Sequence, residues 1–230
     1  MATILITGAS RGIGLELACQ YAEAGETVIA TCREPDSANA LKHLAQSHEN
    51  VEIEALDVVD SLAILSLASL LAKRGTQLDL LINNAGVLVH EAPGEWTAEG
   101  FSATLETNAV APAIVMQAFS KVMAEGGKMI SISSGLGSFG LNIDFGGPTG
   151  TYAASKAALN MAICQLAPLF KAKGLVIAAF NPGWVKTDMG GQEAALTVEE
   201  SVSSLRKSFE SLSLAQSGLF FDLDGSPLPW

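Results

Sequence analysis

Short apolar or β-branched runs alternate along the chain with longer stretches whose apolar positions recur at helical spacing. The runs are Thr3–Thr7, Thr27–Thr31, Val51–Ala55, Leu78–Ile82, Lys128–Ser133, Leu175–Phe180 and Gly218–Phe221. Several lack period-two alternation, as expected of parallel strands covered on both faces. Between them the spacing predicts helices over Ile13–Ala24, Asp36–Ser47, Ser61–Arg74, Thr97–Glu125, Thr151–Lys173 and Val198–Leu212. Strand–helix alternation of this kind predicts an α/β fold, a doubly wound parallel sheet of seven strands joined by right-handed crossovers, with helices on both faces.

No repeat or linker divides the 230 residues, so residues 1–230 are read as a single domain. The stretch Gly135–Thr151, with six glycines among seventeen residues, reads as a long loop after the fifth strand, and such loops are usually functional. Charged residues make up only 16% of the chain, against about 25% in ordinary soluble domains, so much of the surface must be hidden in the sheet or in a subunit interface.

The net charge of −11, with only thirteen Lys and Arg, argues against nucleic acid and against anionic membrane surfaces as partners. The longest apolar stretches, Ser61–Ala72 and Ala109–Phe119, are too short or interrupted to cross a bilayer. A strand pattern begins at Thr3 with no basic leader before it, so a cytoplasmic protein is expected. Cys19, Cys32 and Cys164 have neither disulfide nor zinc spacing, and His43, His48 and His90 share no helical i, i+4 relation, so no metal is expected.

The first strand runs into Thr7-Gly8-Ala9-Ser10-Arg11-Gly12-Ile13-Gly14 and then a helix. Glycines there let the backbone approach a ligand, and the helix start offers N–H groups and partial positive charge to a pyrophosphate. A plain βα turn has the same composition, but the place of this one in the first βαβ unit points to dinucleotide binding by a Rossmann-type domain. The second strand ends in Thr31-Cys32-Arg33 without a carboxylate for a ribose hydroxyl. Arg33 and Arg11 suit a 2′-phosphate instead, which predicts NADP(H). Asp57, before Val58 at the end of the third strand, is placed to accept from an adenine amino group. Asn83-Asn84-Ala85-Gly86 follows the fourth strand, where ligands of such sheets bind.

Tyr152 and Lys156 lie four residues apart, on one helix face. A neighbouring ammonium is expected to lower the phenol's pKa and fit it for proton transfer. Ser133 and Ser134 offer a hydroxyl to a carbonyl oxygen. Asn108, inside a predicted helix, reads as a polar joint, a water ligand or an ordinary exposed asparagine.

In order and together, the glycine motif, Asn83–Gly86, Asn108, the paired serines, Tyr152-Ala-Ala-Ser-Lys156 and Pro182-Gly183-Trp184-Val185-Lys186-Thr187 resemble the short-chain dehydrogenase/reductase family over Thr7–Trp230. The likeness is strongest to its carbonyl reductases of the Sniffer and C-factor type, through Thr3–Gly14, Ser133–Gly137, Ser155–Met161, Asn181–Gly191 and Asp224–Trp230. It implies a catalytic tetrad of Asn108, Ser134, Tyr152 and Lys156, with Asn108 positioning a water, Ser134 rather than Ser133 holding the carbonyl, and Lys156 also binding the nicotinamide ribose. It implies cofactor contacts from Gly8, Ser10, Arg11, Gly12, Ile13, Gly14, Arg33, Asp57, Val58, Asn84, Ala85, Gly86, Tyr152, Lys156, Pro182, Gly183, Val185 and Thr187.

Two departures from the family stand out. The Ser134–Tyr152 interval is long, and its Leu136, Phe139, Leu141, Ile143 and Phe145 are expected, with Trp184, to wall an apolar pocket. The stretch Asp188–Thr197 is short where relatives carry a larger lid, which predicts an open site. The expected activity is NADPH-dependent reduction of an apolar or aromatic aldehyde, ketone or quinone, the same residues also serving alcohol oxidation. The alternative is an NADP(H)-binding signalling or regulatory protein of the C-factor type. A homodimer through residues 97–125 and 151–173 is expected, with the loop before Tyr152 as the possible obstruction.

Overall fold

The computed structural model describes residues 1–143 and 145–230. Seven parallel strands, β1 (Thr3–Ile6), β2 (Thr27–Cys32), β3 (Val51–Ala55), β4 (Leu78–Asn83), β5 (Met123–Ile132), β6 (Val176–Phe180) and β7 (Phe220–Phe221), form one sheet in the order β3-β2-β1-β4-β5-β6-β7. The helices are α1 (Gly12–Glu23), α2 (Asn39–Ser47), α3 (Ser61–Lys73), α4 (Ala98–Leu105), α5 (Ala111–Phe119), α6 (Gly150–Lys171) and α7 (Val198–Ser211). Period-two side-chain alternation splits the strand residues between two cores. Ile4, Ile6 and Val28 pack under Leu17 of α1, Leu41 of α2 and Phe209 of α7. Leu5, Leu81 and Ile177 face Ile64 of α3, Phe119 of α5 and Ile163 of α6 on the other side. A sheet apolar on both faces explains why the strands read as continuous hydrophobic runs.

The predicted helix over Thr97–Glu125 is corrected. Its first part is α4, started by Thr97, whose hydroxyl accepts from the Gly100 N–H at 3.0 Å. Residues Glu106–Val110 form a π-helical turn in which the Ala111 N–H reaches back to the Glu106 carbonyl. Pro112 is the physical cause: it has no N–H to give the Asn108 carbonyl, and its ring would crowd that oxygen, so the ladder widens. The helix then ends at Phe119, and Met123 already pairs with Leu78 in the sheet. The register shifts between Leu78 and Leu80, opposite a strand segment that carries Gly126 at φ +73°. Similarly, residues Pro35–Ser37 form a separate 3-10 turn before α2 rather than its first turn.

The chain order passes from β3 at one edge to β1 and then crosses to β4 on its other side. Crossovers therefore leave β1 and β4 toward opposite layers, and a crevice opens beyond their C-terminal ends. Among the described residues no helix is long and apolar enough to cross a membrane.

Candidate active site

A cleft of about 820 Å³ occupies that crevice. Gly8, at φ +67°, and Gly12, at φ +54°, bend the chain between β1 and α1 in a conformation open to glycine and strained for other residues. A Cβ on Gly8 would lie 2.8 Å from the Ala85 Cα, and one on Gly14 would collide with the Asn84 Nδ2 and the Gly8 carbonyl. The Asn84 amide donates to the carbonyls of Thr7 and Gly8, each at 3.0 Å, while Thr7 Oγ1 accepts from the Asn84 N–H at 3.0 Å. Asn84 is thus a brace between the β1 and β4 loops. Arg11 caps α1 by position only, with no side-chain bond to the helix, and the first turn carries no acidic residue. These N–H groups, the glycine cradle and the nearby cations fit a dinucleotide phosphate.

Of the residues expected to meet a cofactor, Gly8, Ser10, Arg11, Gly12, Ile13, Arg33, Asp57, Val58, Asn84, Ala85, Gly86, Pro182, Gly183, Val185 and Thr187 line the cleft. Gly14 lies behind it, where its missing side chain makes room for the Asn84 brace. Arg33 is exposed at the mouth. Arg11 is instead engaged by Asp188 at 2.9 Å.

Ser134, Tyr152 and Lys156 also line the cleft. Tyr152 and Lys156, one turn apart on α6, are both buried, and the Lys156 ammonium lies 5.5 Å from the Tyr152 ring centroid. Ser134 Oγ faces the cleft beside Tyr152 and accepts from the Leu136 N–H at 3.2 Å, whereas Ser133 is committed to Asn160 Oδ1 at 2.6 Å. That division explains why the second serine of the pair is the one presented. Lys156 Nζ donates to the Ile132 carbonyl at 2.8 Å, which ties α6 to the end of β5.

The expectation that Lys156 depresses the phenol is corrected. Burial pushes Tyr152 up to about 12, against a smaller opposing effect of the neighbouring Ser134 hydroxyl. Burial likewise draws Lys156 down to about 8. In a low-dielectric setting each group favours its neutral form, so the phenol keeps its proton at neutral pH.

Asn108 does not line the cleft. Its Oδ1 accepts from the Val87 N–H at 2.9 Å, and its Nδ2 donates to the Val87 carbonyl at 2.8 Å and to Ser155 Oγ at 2.9 Å. The side chain is therefore a buried joint among the π turn, the β4 loop and α6. A Cβ on Gly86 would meet Asn108 Oδ1 at 3.2 Å and Lys156 Nζ at 3.8 Å, so the joint stands directly behind the lysine.

The apolar wall is narrower than expected. Leu136 and Trp184 line the cleft, but Phe139, Leu141, Ile143 and Phe145 do not, and Phe139 is 77% exposed. Ser138 Oγ donates to the Pro229 carbonyl and the Gly140 N–H to that of Trp230, which holds the loop away from the cleft on either side of Phe139. Val87, Leu88, His90 and Met189 join the lining although the sequence assigned none of them to the site; their signal was position in loops that follow β4 and β6.

A family model described as short chain dehydrogenase matches residues 2–196. The chain belongs to the short-chain dehydrogenase family. As a short-chain dehydrogenase it superposes on an NADPH-bound carbonyl reductase from chicken fatty liver with a TM-score of 0.94 and 36% identity, covering 100% of this chain and 99% of that one. The carbonyl reductase Sniffer of D. melanogaster gives 0.92 and 31%, covering 100% of both chains. Among curated proteins, the C-signal of Myxococcus xanthus is 36% identical over 161 residues, 66% of this chain and 93% of the relative.

Proposed function

We propose that this short-chain dehydrogenase is an NADPH-dependent reductase of aldehydes, ketones or quinones with apolar or aromatic bodies. The observation that carries the reading is a buried, proton-bearing Tyr152 that lines, with Ser134, the cleft whose other half is the glycine cradle. The likeness to an NADPH-bound carbonyl reductase supports the cofactor and the reaction class. The glycine loop and α1 would hold the pyrophosphate, Arg11 and Arg33 the 2′-phosphate, Asp57 and Val58 the adenine, and Asn84–Gly86 with Pro182–Thr187 the nicotinamide half. NADPH, when bound, supplies the hydride from its nicotinamide C4.

The chain's own residues handle the proton. Ser134 Oγ and the Tyr152 hydroxyl hold the substrate oxygen, and Tyr152 gives its proton to that oxygen as it becomes an alkoxide. Lys156 is the adjacent source from which the phenolate regains a proton, and Asn108 fixes the backbone behind it. The expected outcome for Tyr152→Phe is a loss of about 10²- to 10⁴-fold in kcat, with NADPH binding by calorimetry unchanged. Wild-type turnover in that variant would remove Tyr152 from the mechanism.

The match to the C-signal favours a second reading, a nucleotide-binding regulatory protein with little turnover. A panel of aromatic aldehydes, ketones and quinones followed by NADPH absorbance separates the two: tight NADPH binding without turnover on any of them supports the regulator. On either reading we place the protein in the cytoplasm as a homodimer.

A further inference from the structure

The two arginines assigned to the cofactor stand in different states. Among the described residues Arg33 makes no hydrogen bond or ion pair, while Arg11 Nη1 sits 2.9 Å from Asp188 Oδ2 across the cleft mouth. Asp188 is no wandering surface carboxylate. The segment that carries it is folded on itself: the Trp184 Nε1–H donates to the Gly190 carbonyl at 2.8 Å, the Gly190 N–H to Thr187 Oγ1 at 3.0 Å, and the Gly191 N–H to the Thr187 carbonyl at 2.9 Å. Thr187 also rests over the glycine loop, 3.4 Å from where a Gly12 Cβ would be. The loop therefore delivers the carboxylate to Arg11 with its backbone already ordered.

We propose that Asp188 is a specificity-determining residue, which weakens the chain's preference for NADPH over NADH by occupying the Arg11 guanidinium that a 2′-phosphate would use. A 2′-phosphate arriving at Arg11 must displace the carboxylate or share the guanidinium with it, and in the second case two anions face each other. NADH has no group there and leaves the pair intact. Arg11 and Asp188 are 75% and 77% exposed, so solvent moderates the effect and makes it a trim on selectivity rather than a switch. The inference rests on the NADPH reading above.

Calorimetric titration of the full chain with NADPH and NADH at fixed ionic strength tests it without turnover. Asp188→Asn keeps the side-chain shape and removes the charge. It should tighten NADPH about three- to tenfold, in line with the modest coupling of exposed ion pairs plus a removed repulsion, and move NADH by less than about twofold. Arg11→Gln should weaken NADPH, and Asp188→Asn added to it should gain clearly less than in the wild-type chain, because only the repulsion is left to relieve. Weaker binding of both nucleotides by Asp188→Asn would make the pair a clasp on any dinucleotide and overturn the proposal. An unchanged NADPH/NADH ratio, or an equal gain in the Arg11→Gln background, would overturn it too. A wild-type chain that binds NADH as tightly as NADPH would instead sink the cofactor reading, which keeps the two failures apart. Asp188→Ser serves as the second variant if the asparagine fails to fold.

Discussion

Burial sets the charge of Lys156 more strongly than any partner does. Its amine titrates near 10.5 in the unfolded chain and at about 8 in the folded one. Between those values the unfolded chain holds the extra proton, so stability rises with pH through that window. Below pH 8 the full penalty of a buried ammonium is present. Tyr152, raised from 10.0 to about 12, acts in the opposite sense and subtracts stability above pH 10. Lys156→Met should therefore flatten the rise in denaturation midpoint from pH 8 toward 10, as measured in urea; a slope equal to wild type would contradict the assigned burial effect. Arg33 is governed by charge instead, because it stands exposed at the mouth. Arg33→Ala should raise KM for NADPH about tenfold or more and leave that for NADH nearly unchanged, as expected of a charge-assisted phosphate contact. The i, i+4 spacing of Tyr152 and Lys156 and the identity of Arg33 were legible in the sequence. The direction of the phenol's shift was not, since spacing says which groups are neighbours and nothing about how much water surrounds them.

At the level of elements, the segment from Thr97 to Phe119 shows where hydrophobic period stops being informative. Its apolar positions continue at helical spacing through Pro112 and past the helix end, so α4, the π turn, α5 and the start of β5 read as one helix. Pro112 was the available signal for a break, and Gly126-Gly127 for the strand irregularity. The π turn matters because it carries Asn108, whose amide closes three hydrogen bonds to Val87 and Ser155. Asn108→Ala would leave the part-buried backbone groups of Val87 without their protein partner, at the low end of the about 1–3 kcal/mol that a fully buried loss costs. The expected outcome is a lower urea midpoint together with a reduced kcat, since the joint backs Lys156. A variant with wild-type stability would show that water replaces the amide. Strands β1, β2, β4 and β6 were legible to within a residue or two because their runs are buried on both faces and bounded by turn residues, and β3 was legible although it lies half-exposed at the sheet edge. The Gly135–Thr151 loop was legible as a loop, but the tie to Pro229 and Trp230 that turns Phe139 outward joins residues about ninety apart, beyond the reach of local pattern.

For the whole molecule, a chain of net charge −11 must gather an anionic cofactor through a few local cations, and Arg11, Arg33, Lys156 and Lys186 all line the cleft. The helices expected to pair two subunits expose Val110, Met161 and Leu169. Light scattering at micromolar concentration should accordingly return twice the 23.8 kDa chain mass; a mass of one chain would discard the dimer. The order of assembly follows from the Asn84 brace, which reaches the Thr7 and Gly8 carbonyls from 76 to 77 positions downstream. During synthesis the glycine turn leaves the ribosome first, but it gains its brace only after β4 has emerged and docked beside β1. Lys156 and Thr187 arrive later still. Nascent chains released short of these points would carry the glycine turn without the groups that complete the cleft, so retention on an immobilised nucleotide would mark finished molecules and pass over truncated ones.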